Sequence, residues 1–462
     1  MSINQKEILE THDLGDGLVA RWSTTDDIPK IAHLLGQTFR SSEEEEHNVR
    51  MADQAHLTER PGHPFATAND WIIVEDTSKP DAPVVACTCY WRHTWSYAGI
   101  PFGVGRPEFV ATNPAYRNRG LIRTIFNMLH ARSDGEGHLM QGITGIPYFY
   151  RQFGYEMVLD LGGGRTTYVT IIPKKEGDEP EPYRLRLATL ADVPTLAALY
   201  TQRRRHSLIW HEADEEFWRD QIQYWHAPDI VDKDPFTQGR GMRVYVLVDQ
   251  KGEIGASLLL PVRRGGSSLL VRAADVAPTF DLHAATPTLL RLLRAFGEAL
   301  PTKEADTPPL SKIDFNLGRT HPLYDAMGKN LAPHVDEPYA WYIRMPDIPA
   351  FIRHIQPVLE ERLADSNMAG FQGELKMDFY RGGLRMAFDA GQITAVEAWK
   401  PPTYGDNSDG GSPPLLFLHV LLSYRSVDEM DKLFPDFWVN NKARQLLRIL
   451  FPPLPSKVDS LG

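Results

Sequence analysis

The sequence predicts a mixed α/β (α+β) protein made of a duplicated unit followed by an unlike third region. Three observations predict it. A short strand-and-helix opening occurs twice. Each copy is followed by β-rich runs and then an amphipathic helix. The sequence pattern then changes after Pro346-Asp347-Ile348-Pro349. At 462 residues the chain exceeds one ordinary core, and about three domains is the size-based expectation.

The duplication is read from register. Arg21-Trp22-Ser23-Thr24-Thr25-Asp26-Asp27-Ile28-Pro29 recurs 165 residues later as Arg186-Leu187-Ala188-Thr189-Leu190-Ala191-Asp192-Val193-Pro194. Arg, Thr, Asp and Pro coincide, and so do Ala32 with Ala197 and Leu34 with Leu199. Each copy reads as a strand, a turn, an Asp cap and a Pro at the helix start. Residues 71–75 and 84–90 then read as a hairpin in the first copy, and 244–248 and 254–260 in the second. A helix is predicted over residues 288–299 of the second copy. The polar, Pro-rich stretch 173–182 reads as a linker. The third region reads as a helix over 350–364, strands over 373–380, 383–389 and 392–400, a Gly/Pro/Asp-rich loop over 401–414, and terminal helices. The boundaries predicted are therefore 1–172, 183–345 and 346–462.

Composition narrows the function classes. With 49 basic and 60 acidic residues the net charge is −11, and there is no basic block. A nucleic-acid partner is not expected, and a cationic small molecule is the better electrostatic match. Cys87 and Cys89 lie on one face of a strand at roughly 6.5 Å, near the limit for a disulfide, and read as reduced thiols. No Cys/His spacing suits a metal, so none is expected. The apolar run Leu415 to Leu422 is too short to span a bilayer, and the N-terminus has no signal-like core. A soluble, cytoplasmic protein without a membrane partner is the expectation.

The chemistry concentrates in Glu108-Phe109-Val110-Ala111-Thr112-Asn113-Pro114-Ala115-Tyr116-Arg117-Asn118-Arg119-Gly120-Leu121-Ile122. An apolar strand enters a Pro turn, an Arg-x-x-Gly loop follows, and an amphipathic helix begins. An exposed helix N-terminus presents unpaired N–H groups, a natural phosphate site, and Arg117 and Arg119 add positive charge. Further on stands the aromatic cluster Tyr148-Phe149-Tyr150-Arg151-Gln152-Phe153-Gly154-Tyr155. The second copy lacks the Arg-Gly loop and has Asp281 where a phosphate would dock, so it reads as a unit without cofactor.

These two segments resemble the cofactor-binding and acid-supplying parts of GNAT-type N-acetyltransferases. With the duplication and the third region, the whole chain resembles the Eis-type (enhanced intracellular survival) members. The resemblance implies two tandem GNAT-like mixed-sheet domains, the second degenerate, and a sterol-carrier-protein-like C-terminal domain. It implies acetyl-CoA as donor and a primary amine, such as an aminoglycoside, polyamine or lysine, as acceptor. By motif, Val110 and Thr112 would meet the pantetheine arm, and Arg117, Asn118, Arg119, Gly120 and Leu121 the pyrophosphate, with Gly145 near the cofactor. Phe109 would offer a backbone N–H to the thioester carbonyl and Tyr150 would protonate the thiolate. The Gly462 carboxylate would be the base, with Asp459 and Glu108 as rivals. The resemblance also implies a homo-oligomer, a hexamer. Two other classes stay open at this point: a lipid or small-ligand binding protein using the third region, and a catalytically silent acetyl-CoA-binding scaffold.

Overall fold

The computed structural model describes residues 11–40, 42, 44–403 and 407–459. The first unit contains strands β1 (His12–Gly15), β2 (Leu18–Trp22), β3 (Trp71–Asp76), β4 (Val84–Tyr97), β5 (Ile100–Thr112), β6 (Met140–Ile143), β7 (Glu156–Leu161) and β8 (Gly164–Tyr168). Helices α1 (Ile28–Thr38) and α2 (Val49–Leu57) lie against one face of its sheet, and α3 (Leu121–Gly135) against the other. Of the apolar residues of α3, Leu121, Ile125, Phe126, Met128 and Leu129 are buried on one 3.6-residue face and Ile122 is half-buried at its edge.

The second unit contains α4 (Val193–Arg203), α5 (Glu215–Trp225), α6 (Leu282–Ala299) and α7 (Pro322–Leu331). Its strands are β9 (Tyr183–Leu187), β10 (Ile209–His211), β11 (Met242–Asp249), β12 (Ile254–Pro261), β13 (Ser268–Val271), β14 (Ala273–Val276), β15 (Lys312–Phe315), β16 (His334–Asp336) and β17 (Tyr339–Arg344). The predicted duplication has an atomic counterpart. Arg21 grips the Asp27 carboxylate at 2.8 and 2.9 Å, and Arg186 grips Asp192 at 2.6 and 2.8 Å. In both copies that carboxylate also accepts from the Thr backbone and hydroxyl three residues earlier, a capping box that starts the helix.

The sheets do not follow the linear order. The nine-stranded sheet runs β1-β2-β3-β4-β5-β6-β17-β7, with β10 added to β4. Strand β17, from the end of the second unit, is thus wedged between β6 and β7 of the first. Reciprocally, β8 of the first unit pairs with β15 and β16 of the second. Strand β13 adds in parallel to β15, and the remaining second-unit strands form β14-β12-β11-β9. Helix α6 begins at Leu282 rather than at residue 288, with Pro287 inside it.

The third region contains α8 (Ile348–His354), α9 (Gln356–Ala364), α10 (Pro414–Leu421), α11 (Val427–Leu433) and α12 (Asn441–Leu450), with strands β18 (Gly373–Asp378), β19 (Gly383–Asp389), β20 (Gln392–Ala398), β21 (Gly410–Gly411) and β22 (Trp438–Val439). The single helix predicted over 350–364 is broken at Ile355. Pro357 has no N–H to continue the ladder and its ring clashes with the turn before it, so the first helix ends and a new one opens at Gln356 with Pro at its second position. Leu375, Met377, Leu384, Met386, Phe417, Val420 and Leu446 fill the space between sheet and helices. The same cluster includes Trp95, Trp341 and Val458, so the third region and the first sheet share one core. The chain returns from it through residues 455–459 to the other units. Leu208 N–H donates to the Pro455 carbonyl at 2.9 Å, and Trp341 Nε1 donates to the Val458 carbonyl at 3.1 Å.

Candidate active site

Strand β5 pairs with β4 along nearly its whole length, but the register slips between Cys87 opposite Ala111 and Cys89 opposite Glu108. The extra residue is a β-bulge, and Phe109 takes a left-handed φ of 55° to make it. On its other edge, β5 pairs in parallel with β6 only at Val104–Met140 and Gly105–Gln141. Beyond Gly105 that pairing stops, and Val110 and Thr112 of β5 line the space beside it. A bulge that twists one strand away from its neighbour opens a sheet in this way, leaving an edge that can accept an extended ligand.

A cavity of about 590 Å³ fills the gap. Val110 and Thr112 of β5 form one wall, Arg117 to Arg123 another, and Phe149, Tyr150, Gln152 and Phe153 a third. Thr38 and Phe39, at the end of α1, also line it. The loop is built for an anion. Asn118 and Gly120 both have left-handed φ, 64° and 78°, which turns successive N–H groups towards one side. Gly120 caps α3 with no side-chain hydrogen bond, so the first N–H groups of the helix have no side-chain acceptor. Arg117, Arg119 and Arg123 are exposed. Arg119 lies over the Tyr116 ring at 5.1 Å, and Tyr116 donates to Asp76 at 2.7 Å, which ties the loop to β3. Arg117 makes no ion pair among the described residues.

Tyr150 is 4% exposed, stacks on Phe126 at 5.9 Å and meets Tyr342 edge-on at 5.5 Å between ring centroids. Burial, and to a lesser extent the Tyr342 phenol, pushes it up to about 12. It is therefore fully protonated at neutral pH. Tyr342 is a site residue that the sequence reading missed. Its hydroxyl accepts from the Tyr148 N–H at 2.5 Å and so fixes the loop before Tyr150, yet it lies in β17, nearly two hundred residues away.

Two of the sequence-predicted residues lie beside the cavity rather than in its lining. The Phe109 side chain packs between Trp71 and Trp91, at 5.9 and 5.7 Å, so only its backbone is available for the role foreseen. Gly145 has φ 139°, and a Cβ there would stand 3.4 Å from the Tyr150 hydroxyl. Of the carboxylates, Glu108 is paired with buried Arg106. Asp459 is paired with Arg203 and Lys457. Burial opposes its ionisation, but those two cations outweigh it and hold the carboxyl down at about 2. Gly462 lies outside the described residues. Cys87 and Cys89 are free and buried, and burial pushes both thiols up. Among the described residues no group of His, Cys, Asp and Glu is arranged to hold a metal ion, and no helix is long and apolar enough to cross a membrane.

Residues 20–158 match the family model of an acetyltransferase (GNAT) domain. Solved structures with the same fold include a GCN5-related N-acetyltransferase from Anabaena variabilis, with a TM-score of 0.61 at 12% identity over 96% of this chain and 99% of that one. Another is a probable N-acyltransferase from Enterococcus faecalis, with a TM-score of 0.61 at 14% identity over 95% and 98%. Eis1 from Mycobacterium abscessus matches with a TM-score of 0.53 at 11% identity over 95% and 99%. At such identities the likeness speaks to fold, and it extends over nearly the whole of each chain. No curated protein sequence matches the chain.

Proposed function

We propose that the chain, whose residues 20–158 match the family model of an acetyltransferase (GNAT) domain, is an N-acetyltransferase that transfers an acetyl group from acetyl-CoA to a primary amine. The observation that carries this reading is the convergence, on one cavity, of an open strand edge, an anion-ready helix N-terminus and a buried protonated tyrosine. Arg117, Arg119 and the N–H groups around Gly120 would hold the pyrophosphate. The edge at Val110 and Thr112 would pair with the pantetheine amides. The amine nitrogen forms a bond to the thioester carbon, and the resulting oxyanion lies at the Phe109 backbone. The C–S bond then breaks as the nitrogen gives up its second proton to become the amide, and the Tyr150 hydroxyl supplies the proton that the sulfur takes and is reprotonated from solvent. A free thiol titrates near 8.5, well below Tyr150. The dry pocket that raises the phenol also raises the thiolate, which brings the two closer.

A base must remove the ammonium proton first. Arg106 holds Glu108, and Arg203 with Lys457 holds Asp459, so neither carboxylate is poised to accept one. The Gly462 carboxylate, implied by the family resemblance, is the base in this proposal. Adding residues after Gly462 should therefore slow turnover while acetyl-CoA binding is kept. A homo-oligomer, hexameric by the same resemblance, belongs to the proposal and is read by sedimentation velocity. The direct test is steady-state acetylation of a panel of polyamines, aminoglycosides and lysine peptides by wild type, Tyr150→Phe and Arg117→Ala. If neither change lowers the rate about tenfold, the site assignment fails.

A further inference from the structure

Tyr150 sits on a short turn of helix, Phe149–Phe153, that ends at a left-handed Gly154 and runs into β7 at Glu156. Arg151, the residue after the proposed acid, folds back across that turn. Its Nε and Nη2 donate to Glu156 Oε1 at 3.1 and 2.5 Å. Its guanidinium also lies over the Tyr148 ring, 5.0 Å from the centroid. One side chain thus touches both ends of the segment 148–156 and holds Tyr150 between them.

Glu156 is itself fixed. It is 2% exposed, and the same Oε1 accepts from the Met157 N–H at 2.9 Å. Strand β17 pairs with it at Ile343. Helix α10 of the third region packs on β7 and brings the buried His419 to it, with Nε2 3.9 Å from Oε1. Burial, then Arg425 and Arg151, hold that imidazole down at about 4, so it is neutral. At neutral pH, Arg151 is therefore the one cation paired with this carboxylate among the described residues. A carboxylate taken out of water is costly, and a buried ion pair seldom stabilises a fold more than an apolar residue of the same size. Its best-attested use is to fix one arrangement in place of several. Here that arrangement includes the hydroxyl that would protonate the leaving sulfur, and a misplacement of about 1 Å is enough to slow such a step strongly.

We propose that Glu156 is a positioning residue for the reaction: through Arg151 it holds the Tyr150 hydroxyl on the leaving thiolate, and α10 of the third region serves that role by keeping the carboxylate dry. The inference rests on Tyr150 being the acid and adds a residue that acts through it. It is tested by a double-mutant cycle, with Glu156→Gln and Tyr150→Phe singly and together, on the amine that wild type acetylates fastest among polyamines, aminoglycosides and lysine peptides. Glu156→Gln keeps the shape of the buried side chain and an acceptor oxygen but removes the charge. The expected result is a fall of about tenfold in kcat, with KM for acetyl-CoA unchanged within about twofold, and no further fall when Glu156→Gln is added to Tyr150→Phe. A merely structural role would slow both backgrounds by the same factor. That additivity, a loss carried by KM, or no loss in the wild-type background would overturn the proposal while leaving the acid assignment intact. If Tyr150→Phe alone leaves kcat unchanged, the acid assignment fails and the proposal falls with it. Absence of turnover with every amine would overturn both. If Glu156→Gln does not fold, Arg151→Met breaks the same clamp at its half-buried end and is judged by the same outcomes. Arg151→Lys, which keeps the charge without the fork, should recover part of that loss.

Discussion

Helix α3 begins at a left-handed Gly120 with no side chain bonded to its first N–H groups, whereas α6 begins at Asp281, whose carboxylate accepts from the Ala284 N–H at 3.0 Å. The two units share their opening clamp and capping box to within a few tenths of an ångström. They part at this helix. A helix N-terminus carries partial positive charge that something must satisfy. In the second unit an internal carboxylate satisfies it permanently. In the first, two left-handed residues and three exposed arginines leave it open to an external anion. One scaffold thus carries an open, anion-ready helix start in one copy and a self-capped one in the other.

The largest expected effect tests the chemistry that only the first copy has. Tyr150→Phe keeps the ring packing against Phe126 and Tyr342 and removes the proton, so kcat should fall by about 10² or more. Because Tyr150 titrates at about 12, the wild-type pH–rate profile should show no alkaline loss on its account up to about pH 10. A decline near pH 8.5 that Tyr150→Phe abolishes would break this assignment. Next in size is the anion loop. Arg117→Ala with Arg119→Ala should raise KM for acetyl-CoA by about tenfold to a hundredfold, with a smaller change in kcat.

The shared clamp predicts smaller, pH-dependent effects. The Arg186 hydrogen bonds hold the Asp192 carboxyl down at about 2, from an ordinary value of 3.8. A depressed carboxylate stabilises the fold above its unfolded pKa, and that stability is lost as pH falls towards the folded value. The Tm difference between wild type and Asp192→Asn should therefore be full at pH 6, shrink below about pH 4 and vanish near pH 2. Smallest of all, Asp281→Ala should cost about 1 kcal/mol in denaturant unfolding and leave KM for acetyl-CoA unchanged. If that variant gained a second acetyl-CoA site, the carboxylate would be all that separates the copies.

The sequence made the duplication legible because Arg, Thr, Asp and Pro each have a fixed local job in the clamp and cap. The anion loop was legible for the same reason, since Asn and Gly tolerate left-handed backbone. What escaped depends on distant contacts. Nothing near residues 164–168 or 339–344 marks them for exchange between units, because a strand's local pattern does not name its neighbour. Tyr342 was missed with its strand. The bulge at Phe109 hides behind a residue that rarely takes positive φ, and packing against Trp71 and Trp91 accompanies it. The start of α6 was placed too late because Pro287 reads as a helix opener, while the Asp281 cap acts six residues earlier.

The central claim is that one of the two copies, and only one, receives acetyl-CoA. Isothermal titration of acetyl-CoA into wild type and into the Arg117→Ala/Arg119→Ala variant tests it most directly. The account predicts one site per chain in wild type and binding weakened at least about tenfold in the variant. Two sites per chain, or undiminished binding in the variant, would contradict it.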